Sequence, residues 1–537
     1  MIDKYVYVII NPDCYVTEWQ YECILKLNDY RLIFLKANEI QNKVNFKRKR
    51  KYLRNFFYYL INLVSIKQRK IKLNFKTFRN SSVKNIYYTY KKNSWQELTH
   101  KSINKIVSSN PLFIYKCGMD LLYINKKLKK IPILSHHHGD PSNFRGRPSG
   151  FYEILRGKEK MGQIIQIISN KLDAGKILFY GETKVYPWSY KKTLKESYSV
   201  SPIILEKALI NFKKGIFIDK ECNGENFKLP SNLLSIYFIY KEFICLISKI
   251  LYGLFFEKFW QVAYVKDFQL NKINEPKDFF SYIHKLSNNF QTLKISKGYD
   301  FYADPFILNS SIIVEGLNSF SCKGNLLIID TKSHEIVGKL KYKNQHISYP
   351  YTKESNGNYY IYPDSGSLKE TIFYKGTSPN YLQKFSIKKF KSGLIDPSVV
   401  EHNGLFYLFA NYPNESSVLR LWVSKSPYFD DIFEHNYSPI NIGPEGGRSG
   451  GRIFKFKEKF YRFGQNSTGD YGNGLILFEI IKLTQDCYVE KQIFNYRFKG
   501  LIKGPHNIDF TSNLLTWDFY IDKFNFFAGL KRIIGRL

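Results

Sequence analysis

Apolar and polar positions follow two different rhythms along this chain. In the first 215 residues, short apolar runs alternate with amphipathic stretches. The runs "YVYVII" (5–10), "YRLIFLKA" (30–37), "PLFIYKCGMDLL" (111–122), "IPILSHHH" (131–138), "GQIIQIIS" (162–169) and "GKILFYGETKVY" (175–186) predict strands. The stretches 17–28, 43–70, 149–157 and 189–212 predict helices. Strands alternating with helices predict an α/β domain with a mainly parallel sheet.

From about residue 258 the strands become short and close together, with Gly, Asn, Ser and Pro between them. A repeat is visible. Pro305, Pro350 and Pro397 are spaced by 45 and 47 residues, and an apolar strand core follows each about ten residues on. These cores are Ile313-Val314, Tyr359-Tyr360 and Phe406-Tyr407. "SGGRIFKFKEKFYRFG" supplies a fourth copy and "GPHNIDFTSNLLTWDFY" a fifth. Repeats of this length predict four-stranded propeller blades. "FWQVAYVKDF" (259–268) is the strand expected to complete the last of five blades.

Between the two regions, "NLLSIYFIYKEFICLISKILYGLFF" (232–256) predicts one long helix. Lys241, Glu242 and Lys249 interrupt it, so no uncharged stretch approaches the ~18 residues of a membrane span. Apolar residues surround most of its circumference, which predicts a packed interdomain helix. Contact with a membrane surface is the second expectation. The expected organisation is an α/β domain over 1–215, a helical linker over 216–257 and a five-bladed propeller over 258–537.

Composition narrows the function classes. A 44% hydrophobic and 17% aromatic content excludes a disordered chain. The net charge of +35 points to an anionic partner. The basic residues are dispersed, and the densest run, Lys47 to Lys51 followed by Arg54, accompanies no nucleic-acid motif. A phosphorylated small substrate or a membrane surface is therefore expected, and nucleic acid is not. Seven Cys at wide spacings, without a CxxC, argue against disulfides or zinc and fit a reducing cytoplasm. The N-terminus lacks the pattern of a signal peptide. Location in the cytoplasm, with the inner face of the membrane as an alternative, is the expectation.

The candidate chemistry centres on "SHHHGDPSNFRGRPSGFYEI" (135–154). Three consecutive His close an apolar strand. Strand alternation puts His136 and His138 on one face and His137 on the other, so the three do not converge on a metal. No metal site is expected. His137 stands at a strand end, where α/β sheets bind ligands. Asp173 lies 36 residues downstream in a Leu-Asp-Ala-Gly turn.

Phe144-Arg145-Gly146, Gly162 and Leu172-Asp173-Ala174-Gly175, in this order after His137, resemble the motif of the N10-formyltetrahydrofolate-dependent formyltransferases. That family includes methionyl-tRNA, glycinamide ribonucleotide and sugar N-formyltransferases. The resemblance covers roughly 1–215 and implies a Rossmann-like formyltransferase domain. It implies that His137 transfers the proton and Asp173 is its partner. The family Asn falls at Ser135, and "GDPSN" stands where the family has another loop. The resemblance further implies a folate pocket built largely from backbone at Gly118, Met119, Leu121, Leu122, Asn170, Lys171 and Asp173, with N10-formyltetrahydrofolate as formyl donor. His138 and Arg145 are the expected contacts to the acceptor.

In the repeat region, "YADPFIL" and "LIDPSVV" open two blades with Asp304 and Asp396. Together with "HISYPY", "YPDSGS", "GRSGGRIF" and "GPHNIDF", they resemble the N-terminal domain of glucosamine inositolphosphorylceramide transferases and the five-bladed propeller glycosidases. His346, Arg448, Arg452, Arg462, Gln465 and Asp470 are candidate polar groups of the funnel, and Glu315 or Glu445 a candidate third acid. A carbohydrate-binding or scaffolding propeller is expected over an active hydrolase. The combined expectation is formyl transfer to the amine of a nucleotide- or lipid-linked sugar in surface-polysaccharide assembly, with a glycan in the propeller funnel. The alternative is a catalytically degenerate first domain carrying a glycan-binding or glycoside-hydrolysing propeller.

Overall fold

The computed structural model describes residues 5–40, 53–65, 68–78, 80–91, 95–270, 273–285, 290–340, 342–343, 345–379 and 381–534. It divides into two units, Met1–Leu246 and Ile247–Leu537. The Lys47–Lys51 run lies outside the described residues.

In the first unit the strands are β1 (Tyr5–Ile10), β2 (Tyr15–Thr17), β3 (Arg31–Glu39), β4 (Lys70–Lys72), β5 (Ser82–Tyr90), β6 (Trp95–Leu98), β7 (Ile114–Lys116), β8 (Leu121–Tyr123), β9 (Ile133–His137), β10 (Phe144–Gly146), β11 (Lys160–Ile167), β12 (Lys176–Lys184) and β13 (Glu225–Phe227). Nine of them form one sheet in the order β12-β11-β9-β7-β1-β3-β5-β6-β8. The run β9-β7-β1-β3-β5 is parallel. β1 is apolar at almost every position because it is buried on both faces at the centre of the sheet, and Val6, Val8, Ile9 and Ile10 are fully buried. From β1 the chain passes to β3 on one side and later returns to β7 on the other. That reversal opens a crevice at the carboxyl ends of β1 and β7. Helix Tyr190–Lys214 begins at Ser189, whose hydroxyl accepts from the Lys192 amide, and stops at left-handed Gly215.

Sequence periodicity does not predict β5, β6 or helix His100–Ser109. β5 and β6 lie toward the sheet edge, and their burial alternates but their hydrophobicity does not follow it: Gln96 is buried, whereas Val83 and Tyr87 are exposed. Within the predicted 43–70 helix, the described helix is Phe56–Ser65. The helix predicted over 232–256 runs Asn232–Phe255, but only Ser235 and Phe238 are buried. Apolar content alone does not decide burial; that depends on how many elements reach the helix. The expectation of a packed helix is corrected accordingly.

The second unit contains five antiparallel sheets of four or five strands. Four are consecutive in sequence, with inner strands Tyr299–Leu308, Ser348–Ser355, Ile395–His402 and Glu445–Ser449. The fifth joins both ends of the region. Strand Phe256–Lys266 pairs along its whole length with Leu514–Phe524, from Phe256 opposite Phe524 to Lys266 opposite Leu514. The result is a closed five-bladed propeller in the second unit, and the first unit is the Rossmann-like α/β one. Closure removes the open edges a linear array would leave. A chain ending at Asn513 lacks the closing partner. Its propeller is expected to lose its cooperative unfolding transition in calorimetry; an unchanged transition would count against closure as the stabilising contact.

Candidate functional site

His137 ends β9, and its neighbours are set by the antiparallel pairing of β9 with β11. Ile164 stands opposite His137 and Gln166 opposite Ser135. Gln166 reaches the Leu172–Gly175 turn, where its Oε1 accepts from the Gly175 amide at 2.8 Å. The turn packs so tightly that a Cβ on Gly175 would stand 2.0 Å from the Ile167 carbonyl oxygen. Asp173 adopts a left-handed conformation (φ 46°) in this turn, which an Asp tolerates better than most residues. Its Oδ2 lies 3.4 Å from His137 Nδ1 and accepts the Gly146 amide at 2.8 Å. The 36-residue gap between His137 and Asp173 is thus closed through one sheet pairing and one turn.

The other ring nitrogen of His137, Nε2, lies 3.1 Å from the Phe144 carbonyl oxygen. Both ring nitrogens therefore face acceptors. A neutral imidazole donates to one of them; the doubly protonated ring donates to both. The side chain is 8% exposed and Asp173 15%.

Alternation separates the three His as expected. The rings of His136 and His138 stack at 5.7 Å, beside Trp19. Burial lowers both, His138 to about 3, so they stay neutral. His138 Nε2 hydrogen-bonds the Ser201 hydroxyl at 2.9 Å. Ser135 is also buried, and its hydroxyl donates to the His136 carbonyl at 3.4 Å. The Arg145 guanidinium donates to the carbonyls of Gly224, at 2.7 Å, and Leu172, at 3.4 Å, so it braces the Asp173 turn.

The expected pocket residues divide. A Cβ on Gly118 would stand 2.6 Å from the Ile10 carbonyl carbon, so the turn after β7 closes directly on the end of β1. Met119 is left-handed (φ 65°), with its amide 3.4 Å from Asn11 Oδ1. Asn170 pairs with the backbone of Ile124 in both directions, at 2.8 and 2.9 Å. Leu121 and Leu122 lie on the edge strand β8, and Leu122 is in the core. Lys171 is exposed on the same turn as Asp173. Three groups at the site go unnamed by the motifs. The Phe144 carbonyl and the Gly146 amide are backbone and leave no signature. Lys116, whose ammonium reaches the Met119 and Asp120 carbonyls at 3.0 Å, does leave one: a lone cation closing an apolar strand. Burial lowers its pKa.

In the propeller, Asp304, Tyr349 and Asp396 each precede a Pro, sit at a bulge in an inner strand and are left-handed, with φ of 50°, 44° and 45°. Three blades repeat the same strained geometry. Bulges re-aim side chains, and strain of this kind is retained where the site needs it. Four carboxylates, those of Asp304, Glu315, Asp364 and Asp396, interact electrostatically. Burial first, then this mutual repulsion, raises Glu315 strongly and Asp396 to about 8, although Arg448 lies 2.7 Å from Asp396. Gln465 Nε2 donates to Asp396 at 2.9 Å, and His346 lies 3.7 Å from Glu315. His506 stands between Asp304 (3.1 Å) and Asp518 (2.7 Å). Burial opposes its charge, but the two carboxylates outweigh this and raise it to about 10. Asp304, His506 and Asp518 bring three potential metal-ligand atoms within 4.8 Å of one another.

The remaining candidates serve other contacts. Arg452 binds Asp509 and Thr352, Arg462 is buried against Glu490, and Asp470 pairs with Lys258. Glu445 lies on the fourth inner strand, partly buried.

Residues 290–507 match the family model "Glucosamine inositolphosphorylceramide transferase 1, N-terminal". Glucosamine inositolphosphorylceramide transferase 1 of Oryza sativa subsp. japonica is 35% identical over 155 residues, which are 27% of this chain and 20% of the relative. The Arabidopsis thaliana protein of the same name is 27% identical over 157 residues, 28% of this chain and 20% of the relative. The chain thus spans about one fifth of the length of these relatives. Similar solved structures include a sugar N-formyltransferase from Shewanella sp FDAARGOS_354, at 14% identity and TM-score 0.25, covering 58% of this chain and 97% of that one. A methionyl-tRNA formyltransferase from Clostridium thermocellum matches at 12% identity and TM-score 0.24, over 61% and 99%.

Glu153 lines the small cavity beside His137 and His138, and burial raises its carboxyl to about 7. Its protonated form is stabilising below the unfolded value of 4.5, and that contribution is lost as pH rises toward 7. Glu153→Gln keeps the neutral shape. It is expected to raise stability at pH 8 by up to about 3 kcal/mol and to leave it nearly unchanged at pH 4. Thermal melts of both proteins at the two pH values check this.

Proposed function

We propose that the first unit transfers a formyl group from N10-formyltetrahydrofolate to the primary amine of a nucleotide- or lipid-linked amino sugar in surface-polysaccharide assembly. The observation that carries this reading is the His137–Asp173 pair at the carboxyl end of a parallel sheet, with Gly146 holding the carboxylate. The ordered motif around it supports the same chemistry. The fit to a folate rests on backbone. Gly118 fits its turn because a Cβ would overlap β1, and Asn170 uses its whole amide to fix Ile124. Peptide groups held in this way suit a flat heterocycle rich in donors and acceptors.

When bound, the formyl donor supplies an activated acyl carbon. The attacking amine must shed a proton, and His137 is the group to receive it. Asp173 orients the ring through Nδ1 and stabilises its cationic form. Nε2 must exchange the Phe144 carbonyl for the amine, so movement of the 139–144 loop belongs to the cycle. The short, buried Ser135 hydroxyl faces the His136 carbonyl, which leaves little for a developing oxyanion. Incubation with N10-formyltetrahydrofolate and a panel of nucleotide-linked amino sugars is expected to yield N-formyl product. His137→Ala should lower the rate about 10²- to 10⁴-fold. Absence of both transfer and folate binding in the full chain would falsify the reading.

The carboxylate cluster favours a second activity for the second unit: a glycan held at the propeller axis. Burial raises Asp396, which accepts from Arg448 and Gln465, and Asp304 lies 3.1 Å from His506. Such a pair reads sugar hydroxyls from both sides. Asp304→Asn is expected to weaken calorimetric binding of amino-sugar oligosaccharides at least tenfold while formyl transfer stays unchanged.

A further inference from the structure

Helix Asn232–Phe255 leaves an apolar stripe in solvent. Tyr240, Phe243, Ile247, Ile250, Leu251 and Leu254 are each 37–60% exposed, at helical spacings of three and four. The opposite face is held: Phe238 stacks on Phe151 at 4.2 Å, Lys241 donates to the Leu155 carbonyl and Glu242 accepts from the Tyr190 amide. These contacts hold the helix residues up to Glu242 on the first unit.

The C-terminal end of this surface is enlarged by a second element. Helix Ala528–Ile534 docks beside Leu254, so closely that a Cβ on Gly529 would stand 3.0 Å from a Leu254 methyl. Arg532 donates to the carbonyls of Gly253 and Phe256 and thereby caps the long helix. Phe526, Phe527, Leu530 and Ile533 are 55–68% exposed next to it. Exposed cations stand near these C-terminal apolar groups: Lys523 and Lys531. Lys531 pairs with Glu257 at 3.8 Å, and its side chain is 58% exposed.

We propose that this surface seats the protein on an anionic lipid bilayer, with the long helix lying in the interface. Charge complementarity selects the occupant. The chain carries +35, and Lys523 and Lys531 stand in the same C-terminal segment as the exposed Phe526, Phe527, Leu530 and Ile533. The aromatic content, Tyr240, Phe243, Phe526 and Phe527, suits the headgroup boundary, whereas a seam between two helices favours aliphatic positions. No helix among the described residues is long and apolar enough to cross a membrane, consistent with a helix that lies on it.

The test uses the full chain and sedimentation with sucrose-loaded vesicles. Binding is expected to phosphatidylglycerol–phosphatidylcholine vesicles, at least tenfold stronger than to pure phosphatidylcholine and weakened by 0.5 M salt. The double variant Ile250→Asp with Phe527→Asp alters only exposed positions and should reduce binding at least tenfold with an unchanged melting temperature. Equal sedimentation of the parent and the variant, or of the parent with both vesicle types, overturns the proposal. So does a parent that ignores vesicles but forms a dimer that the variant does not, because a second copy would then be the occupant.

Discussion

The propeller depends on one strand pair. Phe256–Lys266 and Leu514–Phe524 come from the two ends of the repeat region and share an uninterrupted antiparallel register. A single blade cannot bury both of its faces, so neighbours must cover it, and the ring has no free face only when it closes. Closure also fixes the axis. Asp304 takes hydrogen bonds from Tyr349 of the next blade, and its amide donates to Asp518 on the closing strand. The strained Asp conformations persist because three blades hold them from different directions. Burial at the axis, then neighbouring carboxylates, raises Asp396, and the enforced proximity of Asp518 and Asp304 raises His506.

The first unit solves a similar problem with a different device. A sheet places residues well along a strand but brings distant segments together only where strands pair or turns pack. Here the β9–β11 pairing and the contact between Gln166 and Gly175 carry Asp173 to His137. Gly162 contributes on the other side: a Cβ there would stand 2.9 Å from the Asp140 side chain, so the loop after the three His packs directly on β11. Asp140 then orders that loop by accepting from Ser142 and Asn143. The departure of this loop from the formyltransferase pattern thus has a local cause: it builds its own Asp-centred turn.

Some of this was legible from sequence because it obeys local periodicity. Strand alternation separated His137 from His136 and His138, and the stacked rings follow that parity. The Pro-spaced repeat announces the blades, because three of them reuse the same bulge. The Leu-Asp-Ala-Gly turn marked Asp173, because a left-handed Asp followed by a tightly packed Gly needs those residue types. Other features were hidden. β5 and β6 alternate in burial, but a polar Gln96 faces inward and apolar Val83 and Tyr87 face outward, so the apolar pattern does not report it. Arg452 and Arg462 look like funnel residues in sequence, yet they are bound to Asp509 and Glu490, since an ion pair's partner is set by fold and not by spacing.

The sequence by itself determined which side chains share a face in the strands it predicts, and how many times the blade unit recurs. These depend on bonds and dihedrals within a few residues. Tertiary structure alone decided that His137 faces acceptors on both nitrogens, that four carboxylates share one electrostatic environment, and that the most apolar helix keeps much of its surface in solvent. Each depends on what lies across space from a residue, and burial, charge coupling and hydrogen-bond choice are properties of neighbours that the chain order does not list.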